Sequence, residues 1–242
     1  MKYFTAALCA SLFACTHAMA ANDETIVYGD DMSKAGETGF EMYSKWSRSA
    51  PEQGRRQLFH AIGEMSYGLT DQWNLGLKLP VTREAGQWHA DGAYLELKYL
   101  APHAAQGWYW GAEIEGGSVG ARGEERAAVL EVVPLVGWHN GAWHALANPG
   151  FEYTNEGSER GLSFSPRFKV SYQVDHANAF GMEYHVDAGL LKAITPRHER
   201  NEVAFLTWEA KFGEQAFSVA LGHGATSASE RWALRLTFAL DD

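Results

Sequence analysis

The fold this sequence predicts is all-β: an antiparallel transmembrane β-barrel of about twelve strands, with short turns at one end and longer loops at the other. Three observations carry that expectation. Segments of roughly ten residues alternate apolar and polar side chains, one after another along most of the chain. The connections between them alternate too, long then short. Finally, aromatic residues gather on the apolar side near the short connections, whereas the other side is charged in nearly every segment.

The clearest unit is the hairpin around Tyr67–Pro80, YGLTDQWNLGLKLP. Before the turn, Met65, Tyr67 and Leu69 alternate with Glu64, Ser66 and Gly68; after it, Trp73, Leu75, Leu77 and Leu79 alternate with Asn74, Gly76 and Lys78. Mirror pairing about Asp71 sets Leu69 opposite Trp73, Tyr67 opposite Leu75 and Glu64 opposite Lys78. The apolar residues then share one face and an opposite-charge pair sits on the other.

Residues 1–20 read as a secretory leader. Lys2 supplies the positive end, Tyr3–Cys15 is mostly apolar, and Ala18-Met19-Ala20 is a small-x-small site with cleavage expected after Ala20. The apolar run is too short for a membrane helix. A rival reading makes Cys15 a lipoprotein cysteine, though Phe13 suits that pattern poorly. Cys9 and Cys15 are the two cysteines and both lie in the leader, so the mature chain is expected to lack disulfides and thiol sites. The net charge of −10 argues against nucleic acid as a partner, because phosphate binding needs a basic face. Nine tryptophans in a chain of mean hydropathy −0.29 fit a barrel, whose alternation hides an apolar surface inside a polar average.

Residues 21–36 are polar apart from Ile26–Tyr28 and form an N-terminal arm or plug, the plainer alternative being a loose lead-in. The barrel is expected over residues 37–242. Its first strand is Glu37–Ser47, the opening hairpin supplies two more, and a loop at Arg83–Ala90 leads to Asp91–Leu100. The fifth strand carries Trp108, Trp110, Ala112 and Ile114. The sixth carries Ala128 to Trp138, with Pro134 as a candidate bulge. His139-Asn140-Gly141 signals a tight hairpin, and the strand beyond it carries Trp143 to Tyr153. Leu162–Val174 alternates most cleanly. Phe180–Ala188, a loop at Leu190–Arg200, Ala204–Phe212, Phe217–Leu221 and Trp232–Leu240 complete the set. Pro134 and the N-terminal arm leave ten or fourteen strands open. A soluble sandwich or lipocalin-like barrel also alternates, but neither explains girdle aromatics on one face only with the opposite face charged in nearly every strand.

The expected interface aromatics are Trp73, Tyr99, Trp108, Trp138, Trp143, Tyr172, Phe180, Phe212, Phe217 and Phe238, with Trp46, Tyr153 and Trp232 marking the far side. The expected lumen lining is Glu41, Lys45, His60, Glu64, Lys78, Glu96, Lys98, Glu113, Glu115, Glu131, His144, Glu152, Arg167, Lys169, Glu183, His185, Asp187, Glu209, Lys211, Arg231 and Arg235. Mixed signs suggest either an internal ion-pair network or a narrow charged pore.

Tyr67-Gly68-Leu69-Thr70-Asp71 and Gly76-x-x-x-Pro80, with the leader and the strand pattern, resemble a bacterial outer-membrane family named for a putative meta-pathway of phenol degradation and described as transporter-like. The resemblance implies an outer-membrane barrel passing small apolar or aromatic compounds, and it carries over no catalytic residues. It also implies contact with outer-membrane lipid and with the barrel-assembly machinery. Such barrels usually end in an aromatic residue that this machinery reads, whereas this sequence ends Phe238-Ala239-Leu240-Asp241-Asp242, which leaves Phe238 to serve.

No cofactor or metal site is expected. Glu183-x-His185-x-Asp187 shares one strand face, but its members are spread along the strand, and Arg167 and Lys169 across the next turn favour ion pairing over a cation. His144 and Ser171 are expected near each other. With an acid they would suggest a lipid-modifying barrel enzyme, the last of the alternatives, but the sequence has no Gly-x-Ser-x-Gly elbow, P-loop or dinucleotide fingerprint, and no enzyme is expected.

Overall fold

The structure, a computed structural model, describes residues 25–49, 57–120, 126–156 and 160–241. The leader, its expected cleavage point after Ala20 and both cysteines lie outside the described residues. Among the described residues thirteen strands follow one another: β1 (Thr38–Ser49), β2 (Gln57–Thr70), β3 (Trp73–Glu84), β4 (Gln87–Ala90), β5 (Gly92–Leu100), β6 (Gly107–Val119), β7 (Ala127–Asn140), β8 (Trp143–Thr154), β9 (Gly161–Gln173), β10 (Asn178–Asp187), β11 (Asn201–Phe212), β12 (Gln215–Gly224) and β13 (Glu230–Asp241). Twelve of them form a closed antiparallel barrel. Each pairs with its neighbour in sequence, β3 pairs with β5, and β1 pairs with β13 to shut the ring. Closure removes every sheet edge from the wall.

The alternation decides which way each strand faces. Leu75, Leu77 and Leu79 stand outside while Asn74, Gly76, Lys78 and Pro80 are covered. The same order of exposed apolar and covered polar residues recurs around the ring. An apolar exterior of this extent is unfavourable in water and suits a bilayer. One outer row runs Val170, Met182, Leu206, Leu221, Leu234 and Trp46 across six adjacent strands.

Four local expectations differ from the structure. The opening hairpin has Tyr67 opposite Leu75 and Glu64 opposite Lys78, but a register shift next to the turn puts Thr70, not Leu69, opposite Trp73. An extra residue is accommodated there, which strict mirror pairing could not foresee. Arg83–Ala90 is not a plain loop: β4 folds back on the end of β3, through Ala85 and Gly86, both at positive φ. Pro134 makes no bulge. The β7–β8 ladder has the same register on both sides, Val132 with Phe151 and Val136 with Ala147, and only the rungs around Pro134 and Pro149 are missing. Proline lacks the N–H those rungs need, and Pro166 sits opposite Pro149 on β9. The β10–β11 loop contains two short 3-10 turns, Leu191–Ala193 and Arg197–Glu199.

The β2–β3, β5–β6, β7–β8, β9–β10 and β11–β12 connections all fall at one end of the barrel, here the turn end; the other is the loop end. Near the turn end the outer aromatics contact one another across strands: Trp73 with Tyr99 at 4.7 Å between ring centres, Trp143 with Tyr172 at 5.0 Å, and Phe217 with Phe238 at 5.0 Å. Trp108 (74% exposed), Phe212 (59%) and Phe180 (55%) stand well out from the wall. At the loop end, Trp46 packs on Phe59 and Phe59 on Trp88.

Candidate functional site

Thr25–Gly36 runs inside the barrel. It leaves at the turn end and turns into β1 through Gly68, whose carbonyl accepts from Gly36 N at 2.8 Å. A side chain at position 68 would collide with Lys34 O, 2.0 Å from an ideal Cβ, so glycine is required where the two chains cross. Deeper in the lumen, Tyr28 is clamped to β8. Its N–H donates to Asn148 Oδ1 at 2.7 Å, and Asn148 Nδ2 donates back to Tyr28 O at 3.2 Å. The Tyr28 ring lies 4.9 Å from the Lys78 ammonium and 5.6 Å from the Arg167 guanidinium, a cation–π contact on either side. Further in, Arg235 donates to Thr25 O, and Thr25 Oγ1 is 2.9 Å from the Tyr43 hydroxyl.

Around Tyr28 lies a waist of buried charge. Lys78 Nζ is 2.9 Å from Glu96, 3.4 Å from Glu113 and 3.9 Å from Glu64, and also bonds Glu115 and the Tyr28 hydroxyl. Arg167 pairs with Glu131 at 2.8 Å. Arg235 grips Glu183 with two bonds, 2.7 and 2.8 Å, and Glu183 also bonds His185 at 3.0 Å. Buried charges are tolerable only when partnered in this way. Lysine and arginine thus hold the positions a bound cation would take among Glu96, Glu113 and Glu115 and beside Glu183. Asp187 stands apart, exposed, accepting the Gly189 N–H at the loop end.

The structure brings together more of the expected lining than it scatters. Lys45 pairs with Glu230 at 3.2 Å, and His60 faces Asp91 at 3.7 Å, both near the loop end. Lys169 pairs with Glu209, and Lys98 donates to Asp31 O at 2.9 Å. Glu41 and Lys211 border the cavity described below, and Glu152 is half-buried, accepting from Thr154. Arg231 is the departure: it is exposed, at the step where the β1–β13 register shifts. His144 and Ser171 are cross-strand neighbours, but the imidazole bonds the Tyr109 hydroxyl at 2.7 Å.

Sequence reasoning passed over Tyr28, Asp30, Tyr109 and Asn148, together with His103 and His139. The signals were present but mute: one apolar patch in a polar arm, and a histidine on each side of the Asn140-Gly141 turn. Asp30 sits amid His139 (3.0 Å), His103 (3.4 Å), His144 (4.0 Å) and Tyr109 (3.2 Å). Beside this cluster a cavity of about 560 Å³ occupies the turn half of the lumen, bounded by the Ile26–Ser33 stretch, Glu64, Lys169, Glu209 and Arg235.

No protein-family model matches the sequence, and no curated protein matches it either. Solved structures do. The translocator domain of the autotransporter NalP from Neisseria meningitidis is 12% identical with a TM-score of 0.54, covering 87% of this chain and 90% of that one. LpxR from Salmonella typhimurium is 9% identical with a TM-score of 0.48, covering 84% and 99%. Outer-membrane phospholipase A from Escherichia coli is 11% identical with a TM-score of 0.46, covering 91% and 94%. At such identities the likeness is one of fold, the outer-membrane type of β-barrel. A fold of this kind does not by itself select an activity.

Proposed function

We propose that this chain is a bacterial outer-membrane barrel, exported through a leader cleaved after Ala20. In this reading the Thr25–Gly36 segment holds the lumen shut, and small molecules enter the cavity from the periplasmic, turn end. They cross only when the segment withdraws. Tyr28 carries the reading: its ring fills the waist between Lys78 and Arg167, held there by hydrogen bonds and cation–π contacts and by no covalent link. The resemblance of Tyr67–Pro80 to a transporter-like family points the same way, toward small apolar or aromatic solutes. The predicted partners are outer-membrane lipid and the barrel-assembly machinery.

A second reading is favoured by the ion pairs and apolar contacts that fill the loop half: a structural barrel that never conducts. Planar-bilayer recording of the refolded mature chain separates the two, with a Tyr28→Ala/Asn148→Ala variant beside it and boiled samples as controls. The gated reading expects a nearly silent wild type and stepwise conductance in the variant. Steady conductance in the wild type would show that the segment does not close the lumen. Silence in a variant that still migrates as a heat-modifiable folded barrel would establish the structural reading.

A further inference from the structure

We propose that Asp30, His103, His139 and His144 bind a divalent transition-metal ion of the zinc class, pinning the lumen segment to the wall at the turn end. The four side chains come from three separate places. Asp30 is on the lumen segment, His103 lies in the β5–β6 turn, and His139 and His144 face each other across the β7–β8 hairpin.

Their separations suit one ion. The Nε2 atoms of His139, His103 and His144 lie 3.0, 3.4 and 4.0 Å from the nearer Asp30 oxygen. The ligand atoms of Asp30, His139 and His144 are all within 4.8 Å of one another. Around a tetrahedral ion with metal–ligand bonds of about 2.0–2.1 Å, ligand atoms stand roughly 3.3 Å apart. Two imidazoles or more with a carboxylate is the donor set that such ions favour.

The His103 ring is also oriented for the task. His103 Nδ1 is 3.0 Å from Ala101 O, and a carbonyl oxygen can only accept, so Nδ1 carries the proton. His103 Nε2 then lies 3.4 Å from an Asp30 carboxylate oxygen. A backbone carbonyl on the far nitrogen is the usual outer partner of a metal-binding histidine. Stacking fixes the rings further: His103 on Tyr109 at 4.9 Å, Tyr109 on His139 at 5.3 Å, and His139 on His144 at 3.9 Å. Side-chain exposure of 21–24% across the four leaves the site reachable from the turn-end mouth.

Metal binding goes beyond the gated-barrel reading and stands whether or not the barrel conducts. The tag-free mature chain, refolded in detergent and stripped with chelator, would be titrated with Zn²⁺ by calorimetry. Co²⁺ would serve in parallel as a spectroscopic probe. One equivalent of Zn²⁺ bound per chain is expected, with a visible cobalt spectrum and a higher temperature of heat modification. His139→Ala/His144→Ala should lower the affinity by about 100-fold or more and abolish the cobalt spectrum. His103→Ala, whose ring lies in a turn outside the wall, should lower it by at least about 10-fold in a barrel that still folds. No saturable binding would overturn the proposal, and so would binding that these variants leave unchanged.

Discussion

The two halves of the lumen are filled by different means. In the loop half the wall fills itself. Val203, Phe205, Ala220 and Ala233 pack together from three neighbouring strands, Tyr94, Val119 and Val129 from three others, and Lys45 with Glu230 and His60 with Asp91 close the remainder. In the turn half the wall leaves a cavity, and a segment from outside the sheet occupies part of it. Strand pairing is local and fixes its own partners. The lumen segment instead reaches strands far along the chain, from β1 to β8 and β13, so its position depends on a completed barrel. In the gated reading proposed above, the loop half is structure and the turn half holds the segment that withdraws, with the Lys78 waist joining them.

The largest expected effect is at that joint. Lys78→Met leaves Glu64, Glu96, Glu113 and Glu115 facing one another without their shared cation. Breaking a buried ion pair from one side costs about 3–5 kcal/mol. Urea titration in lipid vesicles, followed by tryptophan fluorescence, measures it. A loss below about 1 kcal/mol would mean that the two halves do not depend on a common waist.

The wall that both halves share gives the next effect. Val170→Arg and Leu206→Arg each place a charge on the outer row near mid-strand, at positions 48% and 62% exposed. In lipid each should cost about 2–4 kcal/mol, falling toward the interfaces. Tolerance of arginine at both positions would remove the lipid-facing assignment for the whole barrel.

Much of this wall was legible because a strand's period of two is a local property. Glu64 opposite Lys78 follows from counting outward from Asp71, and the outer positions of Trp108 and Phe180 follow from parity alone. Features that depend on chain crossing were not legible. Asp30 comes near His103, His139 and His144 only because the lumen segment threads the closed ring. The partners of Lys78 come from β2, β5 and β6. The bulge at Leu69 and the β4 hairpin depend on turn geometry that alternation does not encode. Parity also failed at Arg231, where a register shift intervenes.

A pair of glycines sharpens the contrast between the halves. An ideal Cβ on Gly222 would lie 2.5 Å from the Phe205 ring, and one on Gly137 would lie 2.0 Å from the Tyr109 ring. Phe205 is hemmed in by His185 and Arg235, so Gly222→Val should cost about 1–3 kcal/mol through overpacking. Tyr109 is itself buried, but it packs on His139 and bonds His144, which line the cavity, so a push on its ring is taken up by displacing that cluster. Gly137→Val should therefore cost less despite the tighter contact, while disordering the Asp30 cluster. If Gly137→Val proves the costlier in the same urea titration, the turn half is packed as tightly as the loop half and the distinction fails.

The smallest effects come from two aspartates at opposite ends, and their signs should differ. Asp175, in the β9–β10 turn, accepts the backbone N–H groups of Ala177 and Asn178, each at 2.8 Å. Those bonds, the Ala177 N–H foremost, hold its pKa below the ordinary carboxylate value. A lowered acid pKa stabilises the fold above the unfolded pKa of about 3.9, and that contribution fades as pH falls through the folded value. Asp91, at the loop end, has its pKa raised by burial, against the pull of the Thr82 hydroxyl that bonds it at 2.7 Å. A raised acid pKa contributes stability that is complete below the unfolded pKa and is lost as pH rises through the folded one. At pH 7.5, then, Asp175→Ala should lower the urea midpoint and Asp91→Asn should raise it slightly. Both differences should shrink near pH 3, where wild-type Asp91 is itself neutral and Asp175 approaches its own titration. A fall in the midpoint for Asp91→Asn at pH 7.5 would show that the charged carboxylate, through His60 and His89, holds the loop end together more than its burial opposes it.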